Sequence, residues 1–458
     1  MRPNSFSVIN RPGRIRISRR DLLRGFGALG VLGRLPVAAR AQTSAWTPAP
    51  GTRATAQTCI FINLLGAPSH VDTFDYKAGN APARHNILTS NGITLNATIF
   101  PNLSKITGNL CLLRSMQSVE EAHPRGQWAV HTAHSSNPAV DAQTPHIGAV
   151  VASELPSAGK FPAFLALNGN AGQGAAFLGG AYGPTTTATS CGFPFFQHDF
   201  YGPSSQQRFD QKFELLQALD PSRASVPDPA FSDFEAFYDT ARGMMYDPSI
   251  GNVFTCADTD VARYGNTEIG QALLVARQAV QARNGARFIH VLHQNWDTHA
   301  QMYTRGYRLA GTLANLWDLA LELDQGLGAL IADLQASGDL ATTLIVVMGE
   351  FGRTPGPLNG QAGRDHLKTA MCGLMVGGGV AGGRIIGSTD SIGRLTANPG
   401  WSQNRGIYIQ DVAATIYSAL GIEWTKSIPT PAGGVFQYCP TISNGANDTP
   451  APVNEVFA

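Results

Sequence analysis

The sequence is poor in charge, and the charge it has is balanced. Of its 458 residues, 14% are Asp, Glu, Lys or Arg, and the formal net charge is +1. A typical soluble domain has roughly 25% charged residues. A balanced chain of this kind lacks the excess of Lys and Arg that nucleic acids or anionic membranes attract. We therefore expect neither of them as a partner.

Paired cysteines and long apolar runs are also missing. The 6 cysteines include no C-x-x-C pair, which excludes a zinc ribbon or a thioredoxin-like motif. No segment after the N-terminus has about 18 uninterrupted apolar residues, so no stable membrane span is predicted. Cys191, Cys256 and Cys439 lie in loop-like sequence. One disulfide among these three is as compatible with the sequence as none.

The first 41 residues are typical of an export signal rather than of a folded segment. Arg19 and Arg20 are adjacent, a Gly/Ala/Leu-rich stretch follows, and ARA at 39–41 is a small-x-small cleavage site. This arrangement resembles a twin-arginine signal, with the twin-arginine translocase as a transient partner. It predicts a periplasmic or secreted protein, and a basic unstructured N-terminus is the alternative. Because no linker divides the remainder, 42–458 is predicted to be one domain with a loop-rich insertion near 169–202.

Continuous apolar runs indicate buried strands, since the strands of a parallel sheet are covered on both faces. Four such runs are CIFINLL (59–65), LCLLRS (110–115), RFIHVLH (287–293) and TTLIVVM (342–348). FPAFLAL (161–167) and MCGLMVGG (371–378) are weaker candidates. Helical spacing is found at 144–155, at 266–285 with Asn266 as the expected cap, at 311–339 and at 410–422. Strands that alternate with long helices predict an α/β fold with a mainly parallel sheet.

Acidic and imidazole side chains follow three of these strands. In open parallel sheets, ligands bind beyond the carboxyl ends of the strands. Mixed carboxylate and imidazole ligands suit zinc, manganese or a similar divalent ion. The side chains concerned are His70, Asp72 and Asp75 after the first strand, His293, Asp297 and His299 after the third, and Glu350, Arg353, Arg364, Asp365 and His366 after the fourth.

Each of these loops also has a structural interpretation. Asp72 or Asp75 could cap the helix that follows. Arg353 and Arg364 could hold an oxyanion with two parallel hydrogen bonds, or they could pair with the acids of their own loop. The choice between these alternatives depends on distances that the sequence does not contain.

A second group of polar residues lies in EAHPRGQWAVHTAHSS, after the run at 110–115. If a helix begins near Pro124, His123 lies at its N-terminus, where backbone N–H groups favour an anion. His131 and His134 are three residues apart and share a helix face. They could contact a ligand, or they could lie on an ordinary helix surface.

The segments GAPSHVDTFDYK, WDTH and EFGRTP followed by GRDH closely resemble the bacterial family catalogued as domain of unknown function 1501. The resemblance covers nearly all of the mature chain. That family is similar to the alkaline phosphatase and sulfatase superfamily, whose members are α/β/α sandwiches with metal ligands at strand ends. The resemblance implies a single three-layer α/β/α sandwich of this kind. It implies metal ligands at Asp72 (or, as the alternative, Asp75), Asp297, His299, Glu350 and His366.

The chain departs from the superfamily pattern at two points. The usual Asp-His dipeptide after the late strand is Glu350-Phe351 here, and a phenylalanine cannot bind a metal. The usual hydroxyl or thiol nucleophile has no clear equivalent, because His123 occupies its place. Ser115 and Ser118 are nearby, in a less convincing register.

The resemblance implies a metal-dependent hydrolase of phosphate or sulfate esters, with a small-molecule or glycan ester as substrate. Its cofactor would be a divalent ion, namely zinc, manganese or calcium. His123 would act as nucleophile or general acid, and Arg353 and Arg364 would stabilise charge on the transferred group. The alternative is a non-catalytic envelope protein of the same fold that binds an anionic glycan or a protein partner. The two departures favour this alternative.

Overall fold

The computed structural model describes residues 47–80, 82, 85–169, 172–187, 191, 205–219, 244 and 247–457. The predicted signal at 1–41 and much of the predicted insertion lie outside this part of the chain. The helices are α1 His123–Thr132, α2 Ile147–Glu154, α3 Ser205–Leu219, α4 Pro248–Val253, α5 Asp258–Tyr264, α6 Glu268–Gln281, α7 Leu316–Ser337 and α8 Ile409–Ala419. The strands are β1 Thr58–Leu64, β2 Ile87–Ser90, β3 Ile93–Asn96, β4 Cys111–Met116, β5 Phe164–Leu167, β6 Thr185–Thr187, β7 Phe288–His293, β8 Arg308–Leu309, β9 Thr312–Leu313, β10 Thr343–Met348, β11 Gly352–Arg353, β12 His366–Leu367, β13 Met371–Val376, β14 Arg384–Ile386, β15 Ser388–Thr389, β16 Thr396–Asn398, β17 Ser427–Pro429 and β18 Val435–Gln437.

Eight strands form a central sheet in the order β14-β4-β13-β10-β1-β7-β5-β6. Strand β1 pairs in parallel with β10 on one side and with β7 on the other, so three of the four strands predicted from continuous apolar runs are neighbours. Only β13 opposes its neighbours, because it pairs antiparallel with both β10 and β4. The prediction of a mainly parallel sheet is therefore confirmed.

The sheet buries a different set of side chains on each face. Along β1, Ile60 and Ile62 point to one face, where α6 and α7 supply much of the core. Cys59 and Phe61 point to the other face, where side chains of α1, α2 and α8 complete a second core. Successive residues of a strand alternate between faces, so a strand covered on both sides is apolar throughout. The predicted three-layer α/β/α arrangement is confirmed by these two cores.

The ends of the long helices follow local capping chemistry. The side chain of Asn315 accepts a hydrogen bond from the N–H of Asp318 and begins α7, and Gly338 (φ 79°) ends it in a left-handed conformation. Helix α6 is capped by Thr267, whose side chain accepts from the N–H of Gly270. The predicted cap, Asn266, is thus wrong by one residue. No helix in the described ranges is long and apolar enough to cross a membrane.

One disulfide joins Cys191 to Cys256 and ties the described end of the predicted insertion to the segment before α5. Cys439 is free and half-buried, and Cys59, Cys111 and Cys372 are buried thiols. Burial raises the pKa of Cys372 to about 12, so this thiol is not a reactive nucleophile.

Four parallel strands bring their carboxyl ends to one edge of the sheet. Strands β7, β1 and β10 are mutually parallel neighbours, and β4 runs in the same direction because β13 opposes both β10 and β4. The segments that follow these four strands therefore start at the same edge. They contain the polar loops that the sequence pattern singled out.

Candidate metal centre

Three imidazoles and one carboxylate converge at this edge of the sheet. We call His123, Asp297, His299 and His366 the outer cluster; one ligand atom of each lies within 4.8 Å of the others. Asp297 Oδ1 lies 3.1 Å from His123 Nε2, 3.1 Å from His299 Nε2 and 3.8 Å from His366 Nε2. The Nε2 atoms of His299 and His366 are 2.9 Å apart. Four residues from three separate segments thus present donor atoms to one point.

The backbone explains how these segments reach each other. His123 is the first residue of α1, after β4, while Asp297 follows β7. A side chain on Gly66 (φ +108°), just after β1, would collide with the backbone N of Asp297, so this close approach requires glycine. His366 lies on the short strand β12, where it pairs with Arg353 of β11. The ladder between β11 and β12 places His366 beside the end of β10.

The second nitrogen of two imidazoles in the outer cluster contacts an oxygen that can only accept. Nδ1 of His366 lies 2.6 Å from the backbone carbonyl oxygen of Glu121, and Nδ1 of His299 lies 3.2 Å from Oδ1 of Asp365. Each Nδ1 therefore carries the proton, so each Nε2 directs a lone pair into the outer cluster. Two lone pairs 2.9 Å apart repel unless a proton or a metal ion lies between them.

The spacing of the donor atoms fits a tetrahedral ion. Metal–nitrogen and metal–oxygen bonds of about 2.0–2.2 Å at tetrahedral angles place the ligand atoms roughly 3.3–3.5 Å apart. The measured separations of 2.9, 3.1, 3.1 and 3.8 Å lie on both sides of that value. Three neutral imidazoles and one carboxylate also form a donor set that zinc accepts. The residues present therefore fit a bound divalent ion.

Arg353 is built into the wall of the outer cluster. Its side chain is fully buried, and it donates from Nε to the carbonyl oxygen of Ala67 at 2.9 Å and from NH1 to that of Arg364 at 3.1 Å. It donates from NH2 to Asp297 Oδ1 at 2.5 Å and from NH1 to His299 Nε2 at 3.0 Å. A further bond from NH2 reaches the carbonyl oxygen of Gly66, so three of its five hydrogen bonds go to the backbone and Arg353 is a fixed positive charge.

The charges in the outer cluster shift the pKa values of its members in opposite directions. Burial by itself lowers the pKa of His123, but hydrogen bonds and negative charge from Asp297 and Glu350 outweigh it and raise that pKa to about 9. Burial by itself raises the pKa of Asp297, but the hydrogen bond from His123 and the charge of Arg353 hold it well below its usual range. Without a metal, a proton occupies His123 at neutral pH.

Asp72, which the resemblance placed at the metal, and Arg364, which it placed at the transferred group, lie away from the outer cluster. Asp72 and Arg364 form an ion pair in which both side chains are fully buried, with Arg364 Nε 2.6 Å from Asp72 Oδ2. Tyr303 and Ser69 donate to the same carboxylate. An acid with this many donors has no oxygen to spare for the outer cluster, and a fully buried guanidinium cannot reach a substrate. The interpretation of Asp72 as a ligand and of Arg364 as an oxyanion contact is therefore not supported by their positions.

The alternative acid, Asp75, is also committed elsewhere. It is buried, accepts a hydrogen bond from Thr389 at 2.5 Å and lies 3.2 Å from Lys77 and 3.5 Å from Arg114. Its role is structural, since it ties the segment after β1 to strand β15. The capping role that the sequence offered as the alternative is not observed either, since the partners of Asp72 and Asp75 include Arg364 and Thr389, far along the chain.

A second group of imidazoles, the inner cluster, consists of His131, His146 and His290. All three are buried, and one nitrogen of each lies within 4.8 Å of the others. His131 is in the last turn of α1, His146 caps α2 and His290 points from β7 to the same face of the sheet. Their ring centres are 5.2–5.4 Å apart. The outer and inner clusters thus lie at the two ends of α1.

The ring nitrogens of the inner cluster have different partners from those of the outer cluster. His146 Nδ1 accepts the N–H of Gly148 at 2.8 Å, so its proton is on Nε2, and His131 Nε2 lies 3.0 Å from Asn63 Nδ2. Burial lowers the pKa of His131 to about 4 and holds the pKa values of His146 and His290 well below the usual range. The inner cluster is neutral at physiological pH.

The sequence analysis names all four residues of the outer cluster, with His123 as nucleophile or general acid and not as ligand, but only His131 of the inner cluster. The apolar pattern places His290 within a buried strand, and a histidine inside such a run is the signal that could mark it. His146 carried no signal at all. Of the histidines in the α1 segment, His131 belongs to the inner cluster, and His134 stacks on Phe436 with ring centres 4.9 Å apart.

Sequence comparison finds one family. A family model described as "Protein of unknown function (DUF1501)" matches residues 56–440. No curated protein matches the chain.

Three solved structures with similar folds have low sequence identity to this chain. A phosphonate monoester hydrolase from Silicibacter pomeroyi is 14% identical, with a TM-score of 0.42 over 88% of this chain and 76% of the other. A sulfatase from Pseudoalteromonas sp. is 12% identical, with a TM-score of 0.35 over 80% and 68%. An alkaline phosphatase from the Antarctic bacterium TAB5 is 11% identical, with a TM-score of 0.35 over 80% and 98%. Such scores do not assign an activity.

Proposed function

This chain belongs to the DUF1501 family of proteins of unknown function, and from that premise we propose that it is an exported, metal-dependent hydrolase of phosphate or sulfate esters. The observation that carries the proposal is the outer cluster, where three Nε2 atoms and one carboxylate oxygen converge within 4.8 Å. The ligands we assign are His123, Asp297, His299 and His366. Export would rest on the signal at 1–41, which lies outside the described residues.

The donor set favours zinc over calcium. Calcium takes 6–8 oxygen ligands in proteins, whereas the outer cluster offers three nitrogens and one carboxylate. A divalent ion in this position would polarise an ester oxygen and lower the pKa of a bound water. The carboxylate of Asp297 is 46% exposed, so substrate can approach the outer cluster from solvent.

The protein itself favours negative charge at this place. Helix α1 begins at His123, itself a member of the outer cluster, and has no side-chain cap, so the positive end of the helix dipole lies at the cluster. Arg353 adds a fixed positive charge behind Asp297. An anionic ester would gain from both, because neither group has to reorganise when charge develops. We propose that these two features stabilise the negative charge of the ester group, Arg353 through its charge alone because its side chain is fully buried.

The role of His123 differs from that expected for a nucleophile. Its Nε2 faces Asp297 Oδ1 at 3.1 Å and is directed into the outer cluster. Among the described residues, the hydrogen bonds of the four cluster side chains reach no Ser, Thr or Cys. We therefore propose that water is the nucleophile and that His123 is a ligand.

A second candidate function is a non-catalytic protein that binds an anionic glycan or a protein partner. The observation that favours it is the 2.5 Å contact between Arg353 and Asp297, which already neutralises the carboxylate without any metal. In that case the outer cluster is an ion-pair network. The two candidates differ in whether the purified protein takes up a metal and turns over an ester.

The test uses the purified mature protein with zinc or manganese and with aryl phosphate and aryl sulfate esters. We expect turnover that a chelator abolishes and that added metal restores. Asp297→Asn should abolish it, and His134→Ala should not, because His134 lies outside both clusters against Phe436. Turnover that survives Asp297→Asn, or a folded protein that neither binds metal nor cleaves either ester, would overturn the proposal.

A further inference from the structure

Glu350 lies beneath the outer cluster and contacts one of its members. Its side chain is fully buried, and Oε1 lies 2.7 Å from Nδ1 of His123. The same carboxylate accepts the backbone N–H of Gly66 at 3.1 Å and that of Ala67 at 3.1 Å. Glu350 therefore joins the end of β10 to the end of β1 and to the start of α1.

Glu350 is not placed to bind a metal ion in the outer cluster. Within the described part of the chain, the group of atoms that converge within 4.8 Å does not include its carboxylate. Three of its acceptor positions are already used by two backbone amides and by His123. The ligand role that the family resemblance implied for Glu350 does not follow from this geometry.

We propose that Glu350 is the positioning residue of the outer cluster, because its carboxylate holds His123 with the proton on Nδ1 and with Nε2 directed at Asp297. A carboxylate only accepts hydrogen bonds, so Nδ1 of His123, 2.7 Å from Glu350, donates to it. Nε2 lies farther from its carboxylate, 3.1 Å from Asp297, and is therefore the nitrogen that gives up its proton when an ion binds. The backbone amides of Gly66 and Ala67 fix the carboxylate in turn. This inference rests on the proposed function in one respect, namely that the group His123 receives is a metal ion.

The three imidazoles of the outer cluster differ in the group that accepts a hydrogen bond from Nδ1. His366 donates to a backbone carbonyl, which no side-chain substitution removes. His299 donates to Asp365, whose side chain is 63% exposed and 3.2 Å away. Glu350 is the buried, charged partner, and loss of such a partner typically lowers metal affinity roughly 10–100-fold. Asp365 provides a matched control, since its carboxylate is exposed to water.

The first experiment compares zinc affinity in Glu350→Gln and Asp365→Asn, measured by titration calorimetry against a competing chelator. We expect a decrease of about 10–100-fold for Glu350→Gln and of less than about fivefold for Asp365→Asn. Circular dichroism checks that both variants are folded. If Glu350→Gln does not fold, Glu350→Asp replaces it, since it keeps the charge and withdraws the carboxylate by one methylene. Equal affinity in wild type and in the Glu350 variant would overturn the proposal.

The second experiment counts the ligands of bound zinc by X-ray absorption. A positioning residue leaves the number of ligands unchanged, so wild type and Glu350→Gln should give the same count of nitrogen and oxygen neighbours. If the variant loses one oxygen neighbour, Glu350 is a ligand and the proposal is wrong.

The third experiment needs neither metal nor substrate. Nitrogen NMR of the metal-free protein, recorded as the pH is raised until the His123 ring is neutral, should find the remaining proton on Nδ1 in wild type, 2.7 Å from Glu350, and a shift towards the Nε2 form in Glu350→Gln. A wild-type ring with its proton on Nε2 would overturn the positioning role. A wild-type protein that binds no zinc would instead contradict the proposed function, and the NMR result would still decide the role of Glu350.

Discussion

The outer and inner clusters are two groups of three imidazoles at opposite ends of one helix. His123 begins α1 and His131 lies in its last turn. Eight residues of helix separate them by about 12 Å. The outer cluster has a carboxylate and is partly exposed, whereas no carboxylate belongs to the buried inner cluster in the described residues. Each cluster thus has three imidazoles, but the groups around these imidazoles differ.

The difference shows that the hydrogen-bond partner of one ring nitrogen decides whether the other nitrogen presents a proton or a lone pair. In the outer cluster, each Nδ1 faces an accepting oxygen, of Glu350, Asp365 or the carbonyl of Glu121, so the Nε2 lone pairs converge once His123 has lost its second proton. In the inner cluster, Nδ1 of His146 accepts a backbone N–H, so its Nε2 presents a proton instead of a lone pair. Proximity of imidazoles is therefore not sufficient for a metal site.

The largest expected effect on zinc affinity follows from removing Asp297, the carboxylate that distinguishes the outer cluster from the inner one. Asp297→Ala removes the anionic ligand and leaves Arg353 and the imidazoles facing the ion. We expect zinc affinity to fall by at least about 100-fold, beyond the usual cost of losing an outer partner. Asp258→Ala, at the exposed start of α5, is the control. If zinc affinity falls by less than threefold in Asp297→Ala, the carboxylate is not what makes the outer cluster a metal site.

The inner cluster should make the fold acid-labile. The pKa of His131 is lowered by burial from 6.5 to about 4, so below pH 6.5 the unfolded chain binds a proton that the folded protein does not. Stability is therefore full above pH 6.5 and decreases as the pH falls, by about 2 kcal/mol for His131 alone at pH 5.

Urea unfolding of wild type and His131→Gln at about pH 8 and pH 5 measures this effect. The variant should lose less stability between the two pH values by about 2 kcal/mol. An identical pH dependence in both proteins would mean that His131 is not held neutral by burial.

The outer cluster should respond to pH through metal binding instead. The pKa of His123 is raised to about 9 without metal, so a proton competes with the ion for Nε2. Apparent zinc affinity should rise about tenfold per pH unit between pH 7 and pH 9 and then level off. Calorimetry in buffers of different ionisation enthalpy should detect about one proton released per zinc at pH 7.5. Binding without proton release would show that His123 is not a ligand.

The main strands could be predicted from the sequence because both faces of the sheet are covered. The apolar runs at 59–65 and 342–348 match β1 Thr58–Leu64 and β10 Thr343–Met348 to within one residue. The reversed direction of β13 could not be predicted, since MCGLMV is equally apolar when read either way. Strand direction is set by the connections on either side and not by the strand's own residues.

The sequence could predict a site residue only where that residue follows a strand of the sheet. Asp297 and His366 follow parallel strands and lie at the same edge of the sheet, as the pattern indicates. Asp72 and Arg364 satisfy the same rule and yet pair with each other, 292 positions apart in the chain. A pattern indicates which loops meet, but the partner of each charge depends on distances of a few ångströms.

Zinc stoichiometry tests the central claim most directly. Wild type, His366→Ala in the outer cluster and His290→Gln in the inner cluster are saturated with zinc, freed of excess and analysed by mass spectrometry. We predict one tightly bound zinc in wild type, none in His366→Ala and one in His290→Gln. A second zinc that is lost in His290→Gln, or a zinc that remains in His366→Ala, would contradict the account.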